Sequence, residues 1–192
     1  MPKPKSSAAP STAFTAVDLF CGAGGFALGL ERAGFDVLLA VDSWQLAVDS
    51  YAQNFAHPVL CADLAAMAGR DILRRAGVKK GEVDLVVGGP PCQGFSIQRI
   101  GPDHDLRNSL VLEYARLLRE ISPRLFVMEN VPGLMGKRGN ELFEAFLSSV
   151  AEAGFDTEAH VVNAADYGAP QLRRRVVVLG WRRNDTECFH LP

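Results

Sequence analysis

The chain has 192 residues, 48% of them hydrophobic and 22% charged, with a net charge of −2. That is enough for one globular domain with a sizeable core, and it excludes a low-complexity chain. With 20 Lys and Arg against 22 Asp and Glu, a uniformly basic nucleic-acid binder is excluded as well, so any polyanion surface has to be local. Residues 173–183 supply one: Arg173, Arg174, Arg175, Arg182 and Arg183 occur there with no acid between them. Cys21, Cys61, Cys92 and Cys188 are scattered without a Cys-x-x-Cys pair, which argues against zinc or a disulfide framework and for a reducing, intracellular setting. No apolar run approaches a membrane span, and the first residues lack the apolar core of a signal peptide.

Residues 1–13, rich in Pro, Ser, Ala and Lys, read as a disordered tail. Residues 14–20 read as the first strand, followed by Cys21-Gly-Ala-Gly-Gly-Phe26 and a helix over 27–33. Strand, glycine turn, helix is the arrangement that lets a ligand approach backbone N–H groups at a helix start. Gly22-x-Gly24-x-x-Ala27 also satisfies the relaxed dinucleotide fingerprint. Residues 37–41 form a second strand ending at Asp42, about 20 residues past the turn, where an acid takes ribose hydroxyls. Asp42 also suits the capping of a helix over 44–54. Residues 59–63 read as a third strand ending in Asp63, an acid able to cap a helix over 64–76.

Residues 85–87 are a short apolar run bounded by glycines, a buried strand that runs into Gly88-Gly-Pro-Pro-Cys-Gln-Gly-Phe-Ser96. Pro91 holds Pro90 extended, so Cys92 sits on a stiff loop at a strand end, where open α/β sheets keep their reacting groups. Residues 99–106, with His104, form a polar surface loop, and Asn108 is a natural cap for the helix whose apolar stripe runs from Leu110 to Ile121. Residues 125–131 are another buried strand with Glu129 near its end, a carboxylate placed where proton donation to a substrate becomes possible. A helix follows over 141–153, then strands over 157–163 and 176–181. Period-2 geometry puts Arg173 and Arg175 on one face and Arg174 on the other. Strands alternating with helices imply a doubly wound α/β sheet.

The strings Asp18-Leu-Phe-Cys-Gly-Ala-Gly-Gly-Phe26, Gly-Gly-Pro-Pro-Cys92-Gln-Gly-Phe-Ser, Glu129-Asn-Val and Gln171-x-Arg173-x-Arg175 resemble, in order, the motifs of the DNA cytosine-5 methyltransferases. The resemblance covers residues 16–180 and implies a Rossmann-like, mostly parallel seven-stranded sheet with one antiparallel strand, forming a catalytic domain over residues 14–192. It implies S-adenosylmethionine as cofactor, held by Phe20, Gly22, Gly24, Gly25, Asp42, Trp44, Asp63, Leu64, Pro90 and Leu110. It makes Cys92 the nucleophile that adds to carbon 6 of a cytosine flipped out of double-stranded DNA. Glu129 would hold the edge of that base, and Arg173 and Arg175 would stabilise the charge on it and favour the thiolate.

Two other readings compete. One branch of the family acts on tRNA, although Gly94-Phe95-Ser96 looks more like the DNA-acting members. A nicotinamide-dependent oxidoreductase rests on Gly22-x-Gly24-x-x-Ala27 alone. In the family, a sequence-reading region and a returning segment around a Gly-Asn pair follow the last strand. Here the only such pair, Gly139-Asn140, comes earlier and opens a different helix. The expectation is therefore a split subunit or a truncated chain that needs a complementing partner, working in the bacterial cytoplasm without a membrane.

Overall fold

The structure, a computed structural model, describes residues 13–92 and 109–183. The expected tail over residues 1–12, the string Gly94-Phe95-Ser96, the loop with His104, the Asn108 cap and Cys188 lie outside the described residues. The order of elements is β1 (Thr15–Leu19), α1 (Gly25–Arg32), β2 (Asp36–Asp42), α2 (Gln45–Asn54), β3 (Val59–Cys61), α3 (Gly69–Ala76) and β4 (Leu85–Gly88). Then come α4 (Ser109–Ile121), β5 (Leu125–Asn130), α5 (Asn140–Glu152), β6 (Phe155–Asn163) and β7 (Arg174–Arg182).

The strands form one seven-stranded sheet in the order β3-β2-β1-β4-β5-β7-β6. β7 runs antiparallel to both of its neighbours, and the other described pairings are parallel. This is the doubly wound fold expected, with its single reversed strand. Alternation along each strand divides the core. Val17, Leu19, Val86, Phe126 and Met128 face the layer of α3, α4 and α5, while Ala16, Val37, Leu85 and Val87 face the layer that holds α1. β1 is flanked by β2 and β4, so the chain leaves β1 toward one half of the sheet and later returns to build the other. The carboxyl ends meet at this switch point: Leu19 pairs with Val41 on one side and Gly88 on the other. A crevice outside that edge is where such sheets bind ligands.

The expected boundaries differ most between β3 and α3. β3 stops at Cys61, and α3 starts at Gly69, not at Leu64. Between them Asp63 closes a turn, its Oδ1 accepting from the Ala65 N–H at 2.9 Å. The start of α3 is set from α4, where Glu120 Oε2 accepts from the Gly69 N–H at 2.6 Å. A carboxylate there satisfies an orphan donor and suits the positive helix end. Among the described residues, no helix is long and apolar enough to cross a membrane.

Candidate active site

The turn after β1 is built on left-handed backbone. Gly22 and Gly24 have φ of 54° and 100°, and Phe20 has 57°, which a bulky side chain seldom adopts. Gly24 also leaves room for the Phe55 ring, which a Cβ would strike. The strain at Phe20 turns its ring into a cleft of about 320 Å3 at the switch point. That volume lies at the lower end of the range of small-molecule and cofactor sites.

Phe20, Asp42, Trp44, Asp63, Leu64 and Leu110 all line this cleft, from four separate segments of the chain. Ser43 joins Asp42 and Trp44 there, and Trp44 stays 64% exposed, its ring free for a flat ligand to cover. Asp42 links the two halves of the cradle. Its Oδ2 accepts from the Gly22 N–H at 2.9 Å and its Oδ1 from the Trp44 N–H at 2.8 Å. The expected choice between cap and ribose ligand is thus partly answered: Asp42 does hold the turn that leads into α2. Lone pairs left on both oxygens remain for hydroxyls. The far wall is tied down by Arg116 of α4, which donates to the carbonyls of Leu64 at 3.2 Å and Met67 at 2.8 Å.

Four of the expected cofactor residues do not line the cleft. Gly89 and Pro91 line the cleft, whereas Pro90 is buried behind it, its carbonyl accepting from Asn130 Nδ2 at 3.0 Å. Gly22, Gly24 and Gly25 shape the turn rather than the wall. Gly22 donates to Asp42, Gly24 caps α1, and Gly25 is the first residue of that helix.

Cys92 follows Pro91 directly and is buried. Burial pushes its thiol up to about 11. Sequence reasoning expected arginines to favour the thiolate, but in this state Arg173 and Arg175 converge on Glu129. Arg175 Nε lies 2.8 Å and Arg173 Nη2 3.3 Å from the same Oε1. The shared face expected of Arg173 and Arg175 is therefore real, and Glu129 is half-buried with partners, not without. Its other oxygen turns toward Gly89, where an added methyl would sit 3.6 Å away. Cleft, thiol, carboxylate and guanidinium groups thus share one edge of the sheet.

Asn130 was missed. It is 3% exposed, and besides bonding Pro90 it accepts from the Val131 N–H at 2.8 Å. A polar residue at the end of a buried strand, beside a loop of prolines that need donors for their carbonyls, was the available signal.

A strained glycine turn, an acid at the end of β2 and a thiol on the loop after β4 meet at the ligand-binding edge of a Rossmann-like α/β sheet. The chain belongs to the family described as C-5 cytosine-specific DNA methylase, which matches residues 14–192. It is 44% identical over 186 residues to the type II methyltransferase M1.HphI of Haemophilus parahaemolyticus, covering 93% of this chain and 48% of that relative. It is 39% identical over 187 residues to the type II methyltransferase M.AquIA of Picosynechococcus sp., covering 92% of this chain and 75% of that one. Among solved structures, a putative DNA modification methyltransferase encoded within an E. coli prophage superposes with a TM-score of 0.78 at 35% identity, covering 88% of this chain and 47% of that one. The chain thus spans about half the length of the HphI relative and of that structure. The match runs through the Gly22–Ala27 turn and leaves the nicotinamide reading without support.

Proposed function

We propose that this chain carries the catalytic half of a DNA cytosine-5 methyltransferase, using S-adenosylmethionine and forming a covalent bond between Cys92 and the target cytosine. The observation that carries the reading is the placement of Cys92 one residue beyond the wall of the switch-point cleft, with Glu129 held by two arginines on the same edge. The cleft fits the cofactor by its chemistry. Asp42 faces it with acceptor capacity for ribose hydroxyls, Asp63 offers an acceptor for an adenine amino group, and Trp44 and Leu64 offer surfaces for the ring. When bound, the cofactor supplies an electrophilic methyl group.

The chain's own residues prepare the base. Carbon 5 of cytosine is a weak nucleophile, and addition of the Cys92 thiolate to carbon 6 pushes electron density onto it. A thiol pushed up by burial must lose its proton once the base fills the site. Arg173 and Arg175 are near enough for a base docked against Glu129 to take over part of their charge, and their guanidinium groups then stabilise the negative ring. Glu129 holds the edge of the base and orients it. The target atoms are hidden within a duplex, so the cytosine is flipped out, at a cost of a few kcal/mol. The DNA-modification relatives favour DNA over tRNA as substrate, and a bacterial cytoplasmic setting goes with them. Sequence recognition is assigned to a complementing segment, in the same polypeptide or on a partner subunit, because the HphI relative is about twice as long as the span matched here.

The test is mechanism-based trapping. A duplex containing 5-fluorocytosine, incubated with cofactor, this chain and a complementing recognition segment, should yield an adduct stable in denaturant that maps to Cys92. Cys92→Ser should form none while still binding the cofactor. An adduct that persists in Cys92→Ser would remove Cys92 from the role.

A further inference from the structure

Asp63 lines the cleft, and the backbone on both sides of it is tethered. Before it, the Ala62 N–H donates to the Asp42 carbonyl at 2.9 Å. After it, the Leu64 carbonyl accepts from Arg116 Nη2 at 3.2 Å. The carboxylate itself is oriented by the Ala65 N–H, which donates to Oδ1 at 2.9 Å. Residues 62–68 lie between β3 and α3 and belong to neither, so no strand or helix ladder sets their position. Side chains of α4 do so instead. Arg116 Nη2 also donates to the Met67 carbonyl at 2.8 Å, Nη1 donates to Glu120 Oε1 at 2.9 Å, and Nε donates to Glu113 Oε2 at 2.6 Å. Glu120 in turn accepts the Gly69 N–H with its other oxygen. Gly69 is what lets α3 start so close to α4, because a Cβ there would sit 2.5 Å from Glu120 Cβ. The guanidinium is thus shared between two carbonyls and two carboxylates, a planar fork that an ammonium group does not reproduce. The same helix sets Leu110 in the wall of the cleft.

We propose that Arg116, braced by Glu113 and Glu120, is a positioning residue that fixes Asp63 against the bound base, and so makes the site selective for adenine over a purine with a carbonyl in place of the exocyclic amino group. The inference rests on reading the cleft as the S-adenosylmethionine site, with Asp63 as acceptor for the adenine amino group. A hydrogen bond weakens steeply as its distance and angle drift. An acceptor on an irregular connection therefore discriminates only if that connection is held in advance. Adenine turns a donor toward the carboxylate, whereas hypoxanthine turns an oxygen toward it and is repelled. Attraction and repulsion both shrink once Asp63 can swing away, and the two ligands then bind more equally. Asp42 and the glycine turn belong to other segments that Arg116 does not touch, so selectivity falls further than affinity does.

The experiment is calorimetry of the full chain at pH 7 with S-adenosylhomocysteine and S-inosylhomocysteine, for wild type, Arg116→Met and Arg116→Lys, with urea unfolding of each protein alongside. Wild type should prefer the adenine ligand by about tenfold or more, since a charge-assisted hydrogen bond is exchanged for a repulsive contact. Both variants should lower that ratio by about threefold or more. Arg116→Lys keeps the positive charge without the fork, so its ratio reports geometry and not net charge. A wild-type ratio in Arg116→Lys, or in Arg116→Met at a lowered unfolding midpoint, would leave Arg116 a purely structural residue and overturn the inference with the cofactor site intact. Equal binding of the two ligands by wild type would overturn it as well. Failure of wild type to bind S-adenosylhomocysteine would overturn the reading of the cleft and the inference together. Should Arg116→Met not fold, Arg116→Lys decides by the same ratio.

Discussion

Asn130 joins the end of β5 to the loop that carries Cys92, and its removal gives a measurable test of that link. In Asn130→Ala the Pro90 carbonyl and the Val131 N–H lose their partners at a site 3% exposed. Each unsatisfied buried group costs about 1–3 kcal/mol, and the smaller side chain adds a void. The expected loss is therefore about 2–5 kcal/mol, a large part of the stability of an ordinary domain. Asn130→Asp separates the two bonds. It keeps an acceptor for Val131 but sets a carboxylate against the Pro90 carbonyl, so it should destabilise at least as much at neutral pH. Urea unfolding gives the stability, and the alkylation rate of Cys92, followed by peptide mass spectrometry under native conditions, reports the loop. Both variants should show a lower unfolding midpoint and a faster reaction at Cys92. A wild-type midpoint in both, or a lowered midpoint with Cys92 as protected as before, would refute the claim that Asn130 positions the loop.

Two further outcomes follow from the site. Because burial holds the Cys92 thiol up at about 11, the reactive thiolate is scarce at neutral pH. Its alkylation by iodoacetamide should rise about tenfold per pH unit up to that value, while exposed Cys61 is modified first at pH 7; faster labelling of Cys92 than of Cys61 at pH 7 would contradict the burial argument. Asp42→Ala removes the acceptor for the Gly22 and Trp44 N–H groups together with the proposed ribose contact, and should weaken S-adenosylmethionine binding by about 1–3 kcal/mol in calorimetry; unchanged affinity would leave Asp42 as a turn-holding residue only.

Much of the fold could be read from the residues because it depends on local pattern. Apolar runs bounded by glycine and proline located all seven strands, and the glycine turn marked the start of α1. Period 2 placed Arg173 and Arg175 on one face, and they do meet on Glu129. Where the reading slipped, a distant residue had intervened. The start of α3 depends on Glu120, 51 positions away, so the alternative of a local cap at Asp63 does not hold for that helix.

The sequence by itself determined the elements, the sheet class and the identity of the reacting groups, since chain geometry repeats every two or 3.6 residues and chemistry resides in side-chain type. Tertiary structure alone decided which groups meet and what that meeting does to them. It placed β7 between β5 and β6, which brings the arginines to Glu129. It made Gly180 the residue that leaves room for the Phe126 ring, with which any added Cβ would collide. It turned the Asn130 amide back onto Pro90, 40 residues earlier, and enclosed the Asp18 carboxyl completely. The physical reason is common to all four. Burial and partnership depend on atoms contributed by distant segments, and desolvation acts on a group only once those segments have closed around it.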